Sequence, residues 1–109
     1  MSGYVTLEAR KRKKRQSQLR AFDCIRKELK TFPRNSSGLF FVFGSFVDNS
    51  FTLSSDLDVL VDFPESERAE AMQFVENICF RYGIKPDVRP SQWCSELFVL
   101  QVKRNGVQL

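Results

Sequence analysis

The sequence predicts an α/β fold. Three observations lead there: stretches with helical apolar periodicity, short runs of β-prone apolar residues between them, and turn chemistry at the junctions. A chain of 109 residues is one domain. A chain of this size buries roughly two-thirds of its unfolded surface, enough for a modest core. An apolar share of 42% with eleven Phe argues for a packed globule rather than disorder.

Residues 1–6 are expected to be flexible. Residues 7–32 contain no Gly or Pro and read as a helix, with Leu19, Phe22, Ile25, Arg26 and Leu29 as its buried stripe. The first half of this helix is different, because Arg10 to Gln16 reads RKRKKRQ. Such a run is either a solvated helix end or a contact with nucleic acid or an acidic partner, and no aromatics interleave it. Residues 33–38 (PRNSSG) are turn chemistry that ends the helix. Leu39–Phe43 (LFFVF) is a continuous apolar run suited to a buried strand. Residues 46–55 hold Asp48, Asn49, Ser50, Ser54 and Ser55 and predict a short helical turn and a loop. Residues 57–63 form a second strand, with Asp58, Leu60 and Asp62 on one face and Leu57, Val59, Val61 and Phe63 on the other, the latter packed on helices.

Pro64 suits a first helical position. Ala71, Met72, Val75, Ile78, Cys79 and Tyr82 then form a helical stripe, and Gly83 suits the C-terminal cap. Residues 84–89 (IKPDVR) are a short third strand, with Pro86 favouring its start or an edge. Residues 91–104 read as a last helix with Trp93, Leu97, Leu100 and Gln101 on one side, and Trp93 and Phe98 are expected in the core. The closing GVQL is expected to add a short strand.

Composition excludes several function classes. No apolar run approaches the roughly 18 residues that span a membrane. The basic N-terminus has no apolar segment after it, so a signal peptide is not expected. Cys24, Cys79 and Cys94 are odd in number and widely spaced, which suits reduced thiols in a cytoplasmic protein better than a disulfide framework or a zinc site. Histidine is absent, which removes Ser-His-Asp triads, Cys-His pairs and HExxH zinc sites. Carboxylate and metal chemistry remain. Charge is uneven: residues 1–35 carry eleven Lys/Arg against three Asp/Glu, and the rest six against ten. This suggests a basic arm on an acidic body.

The chain is organised around Gly44-Ser45, a ten-residue excursion, and Asp56-Leu57-Asp58. Gly44 lets the backbone approach a ligand closely, and Ser45 offers a hydroxyl and an N–H. A helix starting there would face its free N–H groups toward an anion. On the second strand Asp56 and Asp58 share a face. Two carboxylates that close repel unless a cation sits between them. Mg²⁺ favours carboxylate oxygens together with substrate phosphates.

This pattern resembles the signature of the nucleotidyltransferase superfamily related to DNA polymerase β. The short chain is similar to its minimal, stand-alone members, the minimal nucleotidyltransferase (MNT) domains. The resemblance spans most of the chain. It implies a small mixed β-sheet with helices packed against it, in one domain 1–109 whose catalytic core covers 39–104. It implies Gly44 and Ser45 as nucleotide-binding residues. It makes Asp56, Asp58 and Asp87 the catalytic and metal-binding carboxylates, holding Mg²⁺, two ions in the family scheme. Asp87 enters on its place in Pro86-Asp87-Val88, after the intervening helix. Without Gly44-Ser45 ten residues earlier, Asp56 and Asp58 after Ser54-Ser55 read as turn or N-cap carboxylates; an isolated Asp87 is a surface or turn residue, and Arg89 could reach a phosphate but is solvated by default. Many minimal members carry an Arg and a Gly in a GSRARG-like stretch, where this chain has Phe46, Val47, Asp48 and Asn49.

The implied reaction moves a nucleoside monophosphate from ATP or another NTP to an acceptor hydroxyl, releasing pyrophosphate. Minimal members commonly serve as antitoxins paired with a HEPN-type toxin, and some adenylylate that protein. A protein adenylyltransferase acting as an antitoxin is therefore the leading expectation. Nucleotide addition to RNA such as a tRNA end, motivated by Arg10 to Arg15, and a catalytically inert partner-binding module are the alternatives. Oligomerisation stays open, and no membrane association is expected.

Overall fold

The computed structural model describes residues 6–33, 38–52 and 54–109, so most of the start expected to be flexible and of the 33–38 turn lies outside the described residues. Among the described residues, nine elements follow one another. They are α1 (Leu7–Leu29), β1 (Leu39–Phe43), α2 (Ser45–Asp48), β2 (Leu57–Asp62), α3 (Glu65–Arg81), β3 (Pro86–Pro90), a 3₁₀ turn (Ser91–Trp93), α4 (Glu96–Asn105) and β4 (Val107–Gln108).

The expected mixed sheet is present, in the order β3-β2-β1-β4. β2 lies antiparallel to β1 and parallel to β3, and β4 lies antiparallel to β1 on the far edge. The parallel pair is joined by α3, because parallel neighbours need a long crossover.

The two faces of the sheet are covered differently. α1 and α3 share one face, where Ile25, Leu29, Phe40, Val42, Val59 and Val75 are all buried in a single cluster. Phe40 and Phe63 have ring centroids 4.8 Å apart, and Phe32 meets both edge-on at 5.6 and 5.5 Å. The other face is covered by α4 in a small cluster of Phe41, Leu60 and Val102. Ile25 is fully buried. Ile25→Val is therefore expected to cost about 1 kcal/mol by removing one methylene, read as a lower urea midpoint with an unchanged slope.

Helix ends follow local chemistry. The Thr6 hydroxyl accepts from the Ala9 N–H at 3.1 Å and caps α1. α1 stops at Leu29, three residues short of the expected end. Pro33 disfavours helical geometry at Phe32, and Thr31 turns its hydroxyl onto the Glu28 carbonyl at 2.6 Å. Leu19, expected in the buried stripe, is 41% exposed. Pro64 caps α3 from outside rather than occupying its first turn. Gly83 lies just beyond α3 with φ +72, and the Ile84 N–H closes on the Cys79 carbonyl at 3.0 Å.

The largest departure is at the last helix. Residues 91–104 do not form one helix: a 3₁₀ turn is followed by extended backbone at Cys94 (φ −111, ψ 158) and then by α4. Two side chains explain the break. Ser91 donates to Asp62 Oδ1 at 2.8 Å, and Ser95 accepts from the Phe98 N–H at 3.2 Å as a new N-cap. The break turns Trp93 outward, where it is 74% exposed rather than in the core as expected. Leu97 and Leu100 are exposed with it, and α4 instead packs Val102, Phe98 and Val99 on the sheet. Among the described residues, no helix is long and apolar enough to cross a membrane.

Candidate active site

Three segments converge at one end of the sheet. β1 ends where antiparallel β2 begins, with Phe43 opposite Asp58. β3 runs parallel to β2, with Asp87 beside Asp58. Gly44 follows Phe43 directly, so the glycine turn and the two aspartates meet at one place. Alternation along β2 and β3 puts Asp58, Asp87 and Arg89 on the face that α4 only partly covers.

Gly44 has φ +77 and ψ −149, a conformation that is essentially glycine-only. A Cβ there would fall on Asp58 Oδ2 and within 3.2 Å of its Cγ. The backbone of the turn therefore lies flush against the Asp58 carboxylate. α2 starts immediately, with the Gly44 carbonyl accepting from Val47 and Asp48 at 3.0 and 3.1 Å. The first-turn N–H groups of a helix have no intrahelical partner, and here they include that of Ser45.

The carboxylates are electrostatically coupled. Asp58 is half-buried, and its pKa is pushed up to about 6 by burial, by a hydrogen bond with Asp87 and by the charges of Asp87 and Asp56. Asp87 is held below the usual range, chiefly by hydrogen bonding from Arg89. Arg89 reaches Asp87 with two nitrogens, Nη2–Oδ2 at 3.0 Å and Nε–Oδ1 at 3.4 Å, and lies 5.6 Å from the Phe98 ring centroid. When one proton is shared by such a pair, the member without the cation keeps it, and that is Asp58.

Asp56 stands just before β2, half-buried and close enough for its charge to act on Asp58. Among the described residues, no three His, Cys, Asp or Glu side chains are drawn into a ready metal cluster. The donor set is still of the right kind for a hard cation: all oxygen, two carboxylates side by side on paired strands, and a glycine turn against one of them. Mg²⁺ characteristically takes one or two carboxylates and completes its shell with water and substrate phosphates.

Asp62, on the same face of β2, is not part of this group. It pairs with Lys103 at 2.7 Å and accepts from Ser91 at 2.8 Å, tying β2 to α4 and the 3₁₀ turn. Arg89, read from the sequence as solvated by default, is an integral neighbour of Asp87. Its i, i+2 spacing from Asp87 on a strand is the signal that points to it.

Arg15 is the residue that sequence reasoning missed. Its Nη2 donates to the Asn49 carbonyl and Oδ1, both at 2.9 Å, and its Nη1 to the Phe51 carbonyl at 2.7 Å. Its guanidinium lies 3.9 Å over the Phe51 ring, which stacks on Phe46 at 4.5 Å. Asn49, in left-handed geometry at φ 66, closes α2. Phe46 thus goes into the core, and the loop after the glycine turn is braced by a cation arriving from α1. Arg15→Ala is expected to leave the fold intact and weaken this brace by roughly 1–2 kcal/mol. Faster hydrogen exchange at the Ser50 amide would report it, while unchanged exchange would show that the brace carries no load.

Comparison with known proteins agrees with this fold. A structure of a minimal nucleotidyltransferase is 20% identical, covers 99% of this chain and 100% of its own, and superposes with a TM-score of 0.51. A toxin–antitoxin solved with AMP-PNP is 19% identical over 83% of this chain and 70% of its own, with a TM-score of 0.52. A mutant of the toxin–antitoxin MntA-HpeT is 18% identical over 81% and 70%, with a TM-score of 0.50. At these identities the likeness is one of fold. No curated protein sequence matches at comparable stringency. Residues 23–102, well over half of the chain, match the profile of the nucleotidyltransferase domain. The chain therefore belongs to the nucleotidyltransferase domain family.

Proposed function

We propose that this chain transfers a nucleoside monophosphate from an NTP, ATP first among them, to a hydroxyl of a partner protein. We further propose that it acts as the antitoxin of a toxin–antitoxin pair with a HEPN-type toxin as acceptor. One observation carries the chemistry: Gly44 lies flush on Asp58 while Asp87 sits beside it, so a triphosphate held on the turn would lie against the carboxylates. The toxin–antitoxin structures of the same fold support the choice of a protein partner.

Gly44 and Ser45 would hold the β- and γ-phosphates through backbone N–H groups and the Ser45 hydroxyl. Asp56, Asp58 and Asp87 would hold Mg²⁺, one ion or two, which supplies charge neutralisation for the attacking and leaving oxygens. Asp87, fixed by Arg89, and Asp58 present oxygens that can take the proton of the acceptor hydroxyl. The acceptor oxygen then bonds to the α-phosphorus, the bond from that phosphorus to the β-bridging oxygen breaks, and pyrophosphate leaves. Such a reaction needs positioning and electrostatics rather than a protein nucleophile, consistent with a chain that contains no histidine.

The test is labelling with α-phosphate-labelled NTPs and Mg²⁺ in a lysate containing the native acceptor, with wild type and Asp58→Asn side by side. Label that depends on Asp58 and is lost to protease is expected. Label lost to RNase instead would make RNA the acceptor. Absence of both label and nucleotide binding would make the chain an inert binding module.

A further inference from the structure

The basic run of α1 ahead of Arg15 takes no part in the site above. α1 has 23 residues and is about 35 Å long. The molecule measures 59 × 27 × 17 Å. No side chain from Leu7 to Lys14 is buried, and Ala9 is the one residue there that is even half-covered. Packing onto the body begins with Arg15 and becomes continuous only from Phe22.

Folding does not require the charges of Arg10 to Lys14, all of them exposed. Six consecutive cations, Arg10 to Arg15, sit in the first half of the helix, where the macrodipole favours acids. Arg10–Lys14 and Lys11–Arg15 are like-charged i, i+4 pairs, which destabilise a helix. With 100° between successive residues, Arg10 to Lys13 already point cations in every direction around the axis. An acidic protein surface meets one side of a helix, whereas a nucleic-acid backbone can present phosphates on more than one side. At the root of the run, a cleft of about 530 Å³ is lined by Lys11, Arg15, Gln18, Phe51, Thr52 and Ser54. Its lining joins the Lys11 cation to the Thr52 and Ser54 hydroxyls, groups that suit a phosphodiester, while Arg15 is held by Asn49 and Phe51.

We propose that the N-terminal half of α1, together with the cleft at its root, binds the phosphate backbone of a nucleic acid. This goes beyond the transfer reaction and does not rest on it, since binding needs neither Asp58 nor an NTP. The cleft floor is formed by the loop between the glycine turn and Asp56.

Fluorescence anisotropy of labelled duplex DNA, duplex RNA and single-stranded RNA, titrated with the full chain across a range of salt, tests it. The probe that binds most tightly identifies the source of the backbone. The variant Lys11→Gln/Arg12→Gln/Lys13→Gln/Lys14→Gln changes only exposed positions, and circular dichroism checks its helix content. Its affinity is expected to fall about tenfold to hundredfold at 0.1 M salt, with the log–log salt slope flattened by ~0.7–0.9 for each phosphate that is no longer neutralised. A control, Arg20→Gln/Lys27→Gln/Lys30→Gln/Arg104→Gln, removes the same charge elsewhere and should change affinity by no more than about threefold, while Asp58→Asn should bind as wild type. Three results would overturn the proposal: no binding of any probe by folded wild type at 0.1 M salt, an equal loss in the control, or polyglutamate of matched charge competing as well as unlabelled nucleic acid.

Discussion

Replacing Asp58 by Asn is expected to lower nucleotide transfer about a hundredfold to a thousandfold, on the order of what loss of a charge-stabilising group costs, and to make the metal-free protein more stable at neutral pH. The second effect follows from the electrostatics of the site. Asp58 is half-buried against Asp87, with Asp56 nearby, and its pKa rises from 3.8 to about 6. Between those two values the folded state binds more protons than the unfolded state. Metal-free stability therefore falls as pH rises through this window and stays at its lower level above it. Asn has no charge to lose. The variant's advantage is thus nil below about pH 4, grows through pH 6 and persists at pH 7. Thermal melts in EDTA at pH 4, 5, 6 and 7 would show this as a widening gap between the two proteins. Added Mg²⁺ should raise the melting temperature of the wild type and leave Asp58→Asn nearly unchanged, because the carboxylate pair is then incomplete. A variant that melts below wild type at pH 7 in EDTA would show that Asp58 is there for the fold and not for a ligand.

Gly44→Ala is expected to damage stability and site together. At φ +77 and ψ −149 an alanine is strained by about 1–3 kcal/mol from the backbone alone. Its Cβ would also fall on Asp58 Oδ2, so either the turn or the carboxylate must move. We expect a total loss of about 2–4 kcal/mol in urea unfolding and no measurable nucleotide binding. A double-mutant cycle separates the two causes. In an Asp58→Ala background the carboxylate is gone, and Gly44→Ala should then cost the backbone strain alone. Additive losses would mean that the turn and Asp58 do not touch in the way the structure shows.

Several elements are legible in the sequence. The strand at Leu39–Phe43, the short helical turn after Gly44, the alternation on β2 and the Gly83 stop of α3 all follow from short-range chemistry that neighbouring residues share. The faces of β2 came out as the alternation requires, with Leu57, Val59 and Val61 buried under α1 and α3. The α4 region failed for a physical reason. Ser91 and Ser95 look like ordinary helix residues until Asp62, far away in sequence, draws the Ser91 hydroxyl out of the helix path. Once Ser95 becomes the cap, the apolar side chains of Trp93, Leu97 and Leu100 no longer share the face that meets the sheet. The Arg89–Asp87 pair could have been read from i, i+2 spacing, and Arg89 is also solvent-exposed, as its default reading has it.

Residue order was enough for the ingredients: a glycine turn after an apolar strand, an Asp-x-Asp step on the next strand, the absence of histidine and a basic first helix. Only the folded chain decided how they combine. Asp58 faces Asp87 because β2 and β3 pair in parallel in one register, and a shift of one residue would turn Asp87 to the opposite face. Arg15 grips Asn49 and Phe51 across 34 and 36 residues of sequence. Periodicity and turn chemistry act between neighbours along the chain, whereas strand register and side-chain bracing are settled by which distant surfaces exclude water together.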